Sequence, residues 1–564
     1  ESLAGRGFHS SSPAPRSSGG KAPGETSRVL LRYKGPLQPW VIPAHITSAT
    51  IDAALPLRFL WLEHPFQPSR SMHRYILALA GIVCALGLSA QTASQKESVL
   101  LTATVSSAPP SITLNWSGQG TASGITASID AAGIGTVSWT NTDWDTPAQS
   151  WVSGPQMSSW LYRRAVGSDA HLVAWLEVRL YAGGVVEVLP WVENGYLRVA
   201  APTAKSTTYT FTLGGTQRFS AAIALLNHQR TPLVSGSTLS YWLGTDPGVT
   251  ARHDAAYLQS TKLVPSYWAS VSPSAAAVSA LPTTYTPLQQ GSYPSGMGTA
   301  GYHLSIGLLP EWDVLYLSST AGSAWGAIQR NAYSAGRYGI HFRDETTNRP
   351  IRFSSYANLV LDGSSGVADT GASTTNSYTP TASGGTPPTY KNSHCPSMGY
   401  LAYLVTGRLY HLETLQFQAT LHFLKNPDQT RNFSQGVMRS YSGANTTRGA
   451  AWALRTLAQA AAVTPDGDVL QTEFLASVEA NINYYHARYV AQPNNPLGIV
   501  TPYSDYTTNA DNVWFESTWM QDFFTASTGM MKSFSLPIQS GVASKLDAFF
   551  TWKAASVIGR LGGA

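Results

Sequence analysis

Leu172, Ala174, Leu176, Val178 and Leu180 fall at every second position, Gly183-Gly184 supplies a turn, and Val186, Val188 and Val192 resume the alternation on a returning strand. A period of two sends successive side chains to opposite faces, so this stretch predicts a β-hairpin with one buried face. A second hairpin is expected where Tyr209, Phe211 and Leu213 run into Gly214-Gly215, with shorter strands at 99–105, 112–116 and 136–140. Short strands joined by glycine turns predict a sandwich or barrel of about 200 residues.

From about Gly307 the period changes from two to 3.6. Residues 308–319 and 321–336 read as a helical pair, and 363–391, dominated by Ser, Thr, Gly and Pro, reads as a loop. Helical segments follow at 398–406, 409–424, 448–462, 470–489, 514–531 and 543–561. Leu470, Phe474, Val478, Ile482, Tyr485 and Tyr489 form one apolar stripe, as do Leu454, Leu457, Ala458 and Ala461. Gly407 and Asn426-Pro427 are stop signals. The expected fold is multidomain α+β: a β-barrel or sandwich over 91–300, then helical hairpins over 301–564 stacked as an α/α toroid, with a plain helical bundle as the alternative. About eight helices are too few for a closed ring of six hairpins, so the toroid is expected to be truncated.

Residues 72–90, MHRYILALAGIVCALGLSA, have the layout of an export signal. His73 and Arg74 form its basic end, 75–88 its apolar run, and Leu88-Ser-Ala90 a small-residue cleavage site before Gln91. A membrane anchor needs about 20 apolar residues, and Val83 before Cys84 argues against a lipoprotein. The natural start is expected at Met72, with 1–71, rich in Ser, Pro, Gly and Arg, a leader rather than a domain. A secreted or periplasmic protein without a stable membrane anchor is implied.

Charge and cysteine content narrow the function classes. Nine basic and four acidic residues precede Gln91, and the remaining 27 of each sign leave the rest formally neutral. The pI near 9.0 therefore gives no support to a nucleic-acid partner. Only Cys395 follows the signal, which rules out an internal disulfide or a thiolate metal site there. No cofactor is implied, with calcium left open. Abundant Trp and Tyr in an exported, weakly charged chain suit sugar binding, because their rings offer flat apolar faces with a polar handle.

Several motifs lead nowhere. Gly296-Met-Gly298-Thr-Ala-Gly301 lacks a preceding strand, Ser397 lacks the first glycine of a nucleophile elbow, and His411-Leu-Glu413 lacks the second histidine of a zinc protease. Trp242, Asp246, His253 and Asp254 are expected where the two halves meet. His341-Phe-Arg343-Asp344-Glu345 places an acid, a base and a cation in one short loop, alternatively an ordinary salt-bridged turn. Glu311 and Asp313 begin a helix, where carboxylates also favour the dipole.

The order of signal, β-domain and helices, with Gly307-Leu-Leu-Pro-Glu-Trp-Asp313 opening the helical part, resembles exported exo-acting rhamnogalacturonan lyase-like proteins. The segment His394-Cys-Pro-Ser-Met-Gly-Tyr-Leu-Ala-Tyr-Leu-Val-Thr-Gly407 resembles the helix-entry motif of toroid carbohydrate enzymes. The similarity spans roughly 160–530 at the level of organisation. It implies a saccharide cleft on the open end of a toroid and a polysaccharide or oligosaccharide partner. Toroid lyases perform β-elimination with Asn, His, Tyr and Arg. Carried over, Asn392 neutralises the uronate carboxylate, His394 or Tyr400 moves the C5 proton, and Arg448 grips the carboxylate, with His341 and Arg343 as further candidates.

Hydrolysis is the competing chemistry and needs two flanking carboxyls from Glu311, Asp313, Asp344, Glu516 and Asp522. Trp514 and Trp519 flank Glu516 and would stack a sugar, in the substrate-binding set with Glu311, Asp313 and Asp344. A non-catalytic glycan-binding or phage-type structural protein is the third alternative.

Overall fold

Among the described residues, alternation of apolar positions produces ten strands in two antiparallel sheets in the computed structural model. It describes residues 126–561 except 155, 182–184, 200–201, 244–245, 247–254, 267–271, 298–302, 320, 362–384, 426–430, 440–446, 493–496 and 501–517. The leader, the export signal, the candidate strands at 99–105 and 112–116, and the Gly183-Gly184 turn lie outside the described residues.

The first sheet is ordered β2-β1-β7-β8, from β1 (Thr126–Ala131), β2 (Gly135–Thr140), β7 (Lys205–Leu213) and β8 (Thr216–Leu225). Gly214 and Gly215, at φ 60° and 75°, close the β7–β8 hairpin in the left-handed geometry that two-residue hairpins require. The second sheet is ordered β10-β6-β5-β4-β3, from β3 (Gln149–Ser153), β4 (Met157–Val166), β5 (Asp169–Tyr181), β6 (Val186–Asn194) and β10 (Tyr241–Leu243). β9 (Gln229–Pro232) shares the outer edge of β6 with β10.

The β5–β6 hairpin is buried on both faces, not one. Tyr241 lies opposite Val188 and meets Phe211 of the first sheet at 5.4 Å, so the alternating valines and leucines face that sheet. The other face carries Trp175, Glu177, Arg179, Glu187, Trp191 and Glu193, and it packs on helices: Trp191 meets Tyr410 edge-on at 5.7 Å. Periodicity identifies the apolar face but carries no information about what covers the polar one.

Among the described residues, two short helices, α1 (Ala255–Ser260) and α2 (Ala275–Ser279), precede eight longer ones. These are α3 (Glu311–Ser319), α4 (Gly322–Ser334), α5 (Tyr400–Thr406), α6 (Leu409–Leu424), α7 (Thr447–Val463), α8 (Val469–Tyr485), α9 (Thr518–Ser533) and α10 (Ser540–Leu561). Gly407, at φ 64°, ends α5. The stripe from Leu470 to Tyr489 is buried throughout, with Tyr489 carried by a π-helical turn after α8. Every residue of α6 and α7 is buried, so the single stripe expected on α7 is a helix enclosed on all sides. No helix among the described residues is long and apolar enough to cross a membrane.

Sheet and helices share one core, tied by two buried charge clusters. In the first, Arg343 donates to Glu193 (Nη2–Oε2 2.9 Å) and to Glu413 (2.8 and 2.6 Å), while Arg230 reaches Glu413 at 3.0 Å. In the second, Arg408 meets Glu177 at 3.3 Å and also Glu187, and Arg179 pairs with Glu177 at 2.6 Å. Burial works to raise the pKa of Glu187, but Arg408 and Arg179 hold it below the ordinary value. His341 and Arg343 are core residues rather than an acid–base set lining a cleft, and Arg343 is salt-bridged to Glu193 and Glu413.

Gly336 sits where this seam is tightest, because a Cβ there would lie 1.9 Å from the Arg230 carbonyl oxygen. Gly336→Ala is expected to destabilise by about 1–3 kcal/mol, towards the upper end because the obstacle is backbone. Urea unfolding followed by circular dichroism checks this. A midpoint equal to that of the parent would mean that the seam yields freely.

Candidate functional site

Three predicted residues from distant segments converge. His394 ends a short 3-10 turn, Asn392–His394, before α5; Arg448 is the second residue of α7; and Trp519 is the second residue of α9. Arg448 Nη2 donates to His394 Nε2 at 2.9 Å, and the Trp519 ring lies 5.2 Å from the Arg448 guanidinium carbon. His394 and Arg448 are nearly buried, whereas Trp519 is 37 % exposed and offers a ring at the surface.

The geometry sets the state of the imidazole. A guanidinium only donates, so Nε2 accepts and the proton of the neutral ring sits on Nδ1, facing Ser393 Oγ at 2.9 Å. Burial, then the charges of Arg448, His303 and Lys391, bring the His394 pKa down to about 4. At neutral pH the ring is therefore uncharged, and Arg448 faces a neutral acceptor.

His303 and Lys391 are the neighbours that sequence reasoning missed. His303 Nε2 is buried and finds no hydrogen-bond partner among the described residues. Lys391 was legible from its place three residues before His394. His303 carried no such signal, since only folding brings it close.

Other candidates lie elsewhere or are committed to the fold. Asn392 donates to the His422 carbonyl at 3.2 Å, behind His394, with its own Oδ1 buried and unpartnered. Tyr400 is fully buried and donates to the Leu263 carbonyl, which removes it from any proton relay at this site. His341 bonds the His228 carbonyl through Nδ1 at 3.0 Å, and Arg343 belongs to the first charge cluster. Asp344 caps its own turn, accepting from the Thr346 and Thr347 amides at 2.9 and 2.7 Å and from Tyr356. Asp522 pairs with Arg560. Glu311 opens α3 half-buried, while Asp313 is buried and its carboxyl is pushed well above the usual range by that burial. Trp514 and Glu516 lie outside the described residues. Among the described residues, no group of three His, Cys, Asp or Glu side chains is placed to hold a metal ion.

No family model, curated protein or solved structure matches this chain.

Four buried rings make the fold acid-sensitive. Burial holds His341, His411 and His422 well below 6.5, and His394 at about 4. The unfolded chain binds protons on these rings below pH 6.5 while the folded chain does not, so stability falls as pH drops through that window. For His394 the loss is complete once pH passes below about 4. His394→Gln is expected to reduce the slope of unfolding free energy against pH between 6.5 and 4. Identical slopes in variant and parent would rule out this ring as a contributor.

Proposed function

We propose that the chain is an exported polysaccharide lyase acting on acidic polysaccharide by β-elimination, of the exo-rhamnogalacturonan lyase-like kind, with its helices arranged as part of an α/α toroid. The observation that carries this reading is the pairing of Arg448 with a neutral His394 beneath the exposed Trp519 ring. A uronate carboxylate needs a cation, its C5 proton needs an uncharged base, and its sugar ring needs a flat face.

Substrate binding itself readies the base. As the carboxylate draws the Arg448 guanidinium to itself, Nε2 of His394 is released and the charge that depresses its pKa is offset. Nε2 then takes the C5 proton, the C5–H electrons form the C4–C5 double bond, and the C4–O bond breaks. The imidazolium returns its proton to the departing oxygen. The same group serves as base and acid, so the burial of Tyr400 removes nothing the reaction needs.

Hydrolysis has weaker support, because Asp344 is committed to its turn and Asp522 to Arg560. The full chain should raise ultraviolet absorbance on at least one of a panel of pectic, alginate and glycosaminoglycan polymers; His394→Ala should abolish the rise and Arg448→Ala should slow it strongly. New reducing ends without absorbance would replace elimination by hydrolysis. Affinity without either product would leave a glycan-binding protein.

A further inference from the structure

We propose that the cavity beneath the 431–439 loop is a second saccharide site, built for a chain of neutral sugars; this does not depend on the elimination chemistry. The cavity measures about 580 Å³ and lies between that loop, residues 353–354 and the outer face of α8. That volume is typical of small-ligand sites.

The loop is held rigidly from behind. Buried Arg431 donates to the Tyr356 and Ala357 carbonyls at 3.1 and 2.7 Å. Ser477 and Asn481 of α8 donate to the Gly436 carbonyl at 2.6 and 2.8 Å, and the Met438 amide donates to Asn481 Oδ1 at 2.8 Å. Gly436, at φ 59°, lies so close to Phe353 that a Cβ would sit 2.6 Å from the ring. Asn432 and Phe433 are both left-handed, at φ 56° and 51°, a conformation that a phenylalanine rarely adopts, and Phe433 is 43 % exposed.

What this scaffold presents to the cavity is polar, with side chains of both charge signs among amides and hydroxyls. Asn432 donates to Gln435 Oε1, which leaves the Gln435 amide nitrogen and the Asn432 oxygen for a ligand; Asn483, whose Oδ1 accepts from Lys545 at 2.6 Å, adds its amide nitrogen, and the half-buried Tyr484 offers a ring with Arg439 5.8 Å from its centroid. Glu479 also lines the cavity, its carboxylate accepting from the Gln539 amide and side chain at 2.8 and 3.0 Å. At the floor, Glu473 accepts from the Phe353 and Ser354 amides at 2.9 and 3.2 Å and from the Ser354 hydroxyl. Burial pushes its carboxyl up to about 7 against those hydrogen bonds. Amides both donate to and accept from adjacent hydroxyls, and the tyrosine face stacks on a pyranose. Such a lining recognises hydroxyls rather than net charge, in contrast to the cationic surroundings of His394.

Titration calorimetry of the full chain with neutral tetrasaccharides of galactose, arabinose, xylose and glucose tests this. At least one should bind, with affinity about tenfold weaker in Tyr484→Ala and in Gln435→Ala and unchanged in Arg448→Ala. Gln435 belongs to a solvent-facing turn, so its variant remains informative if Tyr484→Ala does not fold. Failure of all four sugars to bind, undiminished binding in the folded cavity variants, or loss in Arg448→Ala would overturn the proposal.

Discussion

Arg343→Ala is expected to cost the fold about 3–5 kcal/mol. The side chain is fully buried between Glu193 and Glu413, and its removal leaves two carboxylates in the core with Arg230 as their remaining ion-pair partner among the described residues. Burial alone would lower the Arg343 pKa, but the two glutamates hold it far above the ordinary value, so it is charged at every accessible pH. Its planar fork donates along both carboxylates at once, with a further bond to the Asn348 carbonyl at 2.7 Å. Arg343→Lys should therefore recover little. Adding Glu413→Gln to Arg343→Met restores the charge balance around Arg230 and Glu193 and should recover part of the loss. Urea unfolding reads each case. A single alanine variant within about 1 kcal/mol of the parent would mean that the cluster contributes little.

Arg448→Ala is expected to lower turnover on the responsive acidic polymer by about 10²–10³, the scale on which one lost transition-state donor counts. The circular dichroism spectrum should not change. A second signal separates chemistry from folding. With the guanidinium gone, the His394 pKa should rise from about 4, because Arg448 is the largest depressing cause after burial. A histidine NMR titration reads this directly. Arg448→Lys should keep part of the depression and part of the turnover, since a point charge remains while the fork is lost. An unmoved His394 pKa together with full turnover would dissociate the pair from catalysis.

Much of the local structure was legible in advance. The 3.6-residue period over 409–424 coincides with α6, and the Gly214-Gly215 signal coincides with the β7–β8 turn. Both rest on interactions between near neighbours in the chain, which a periodic pattern records directly. The surroundings of polar residues were not legible. Glu177, Arg179, Glu187 and Glu193 alternate with valines and leucines as solvent-facing residues do, yet they are buried against helices that begin more than a hundred residues later. Tyr400 and His341 have the right chemistry for a relay, yet both side chains bond buried backbone carbonyls.

The sequence by itself determined where the chain alternates, where it coils and where it turns, because hydrophobic spacing, glycine and proline act over a few residues. It also supplied His394, Arg448 and Trp519 as residue types suited to an acidic sugar. Only the tertiary structure decided that these three meet while Arg343 and Tyr400 are enclosed, and that a loop before α7 roofs a cavity on α8. Partners distant in sequence are selected by packing and by the cost of leaving a buried charge or amide unpaired, and one-dimensional spacing does not encode those constraints.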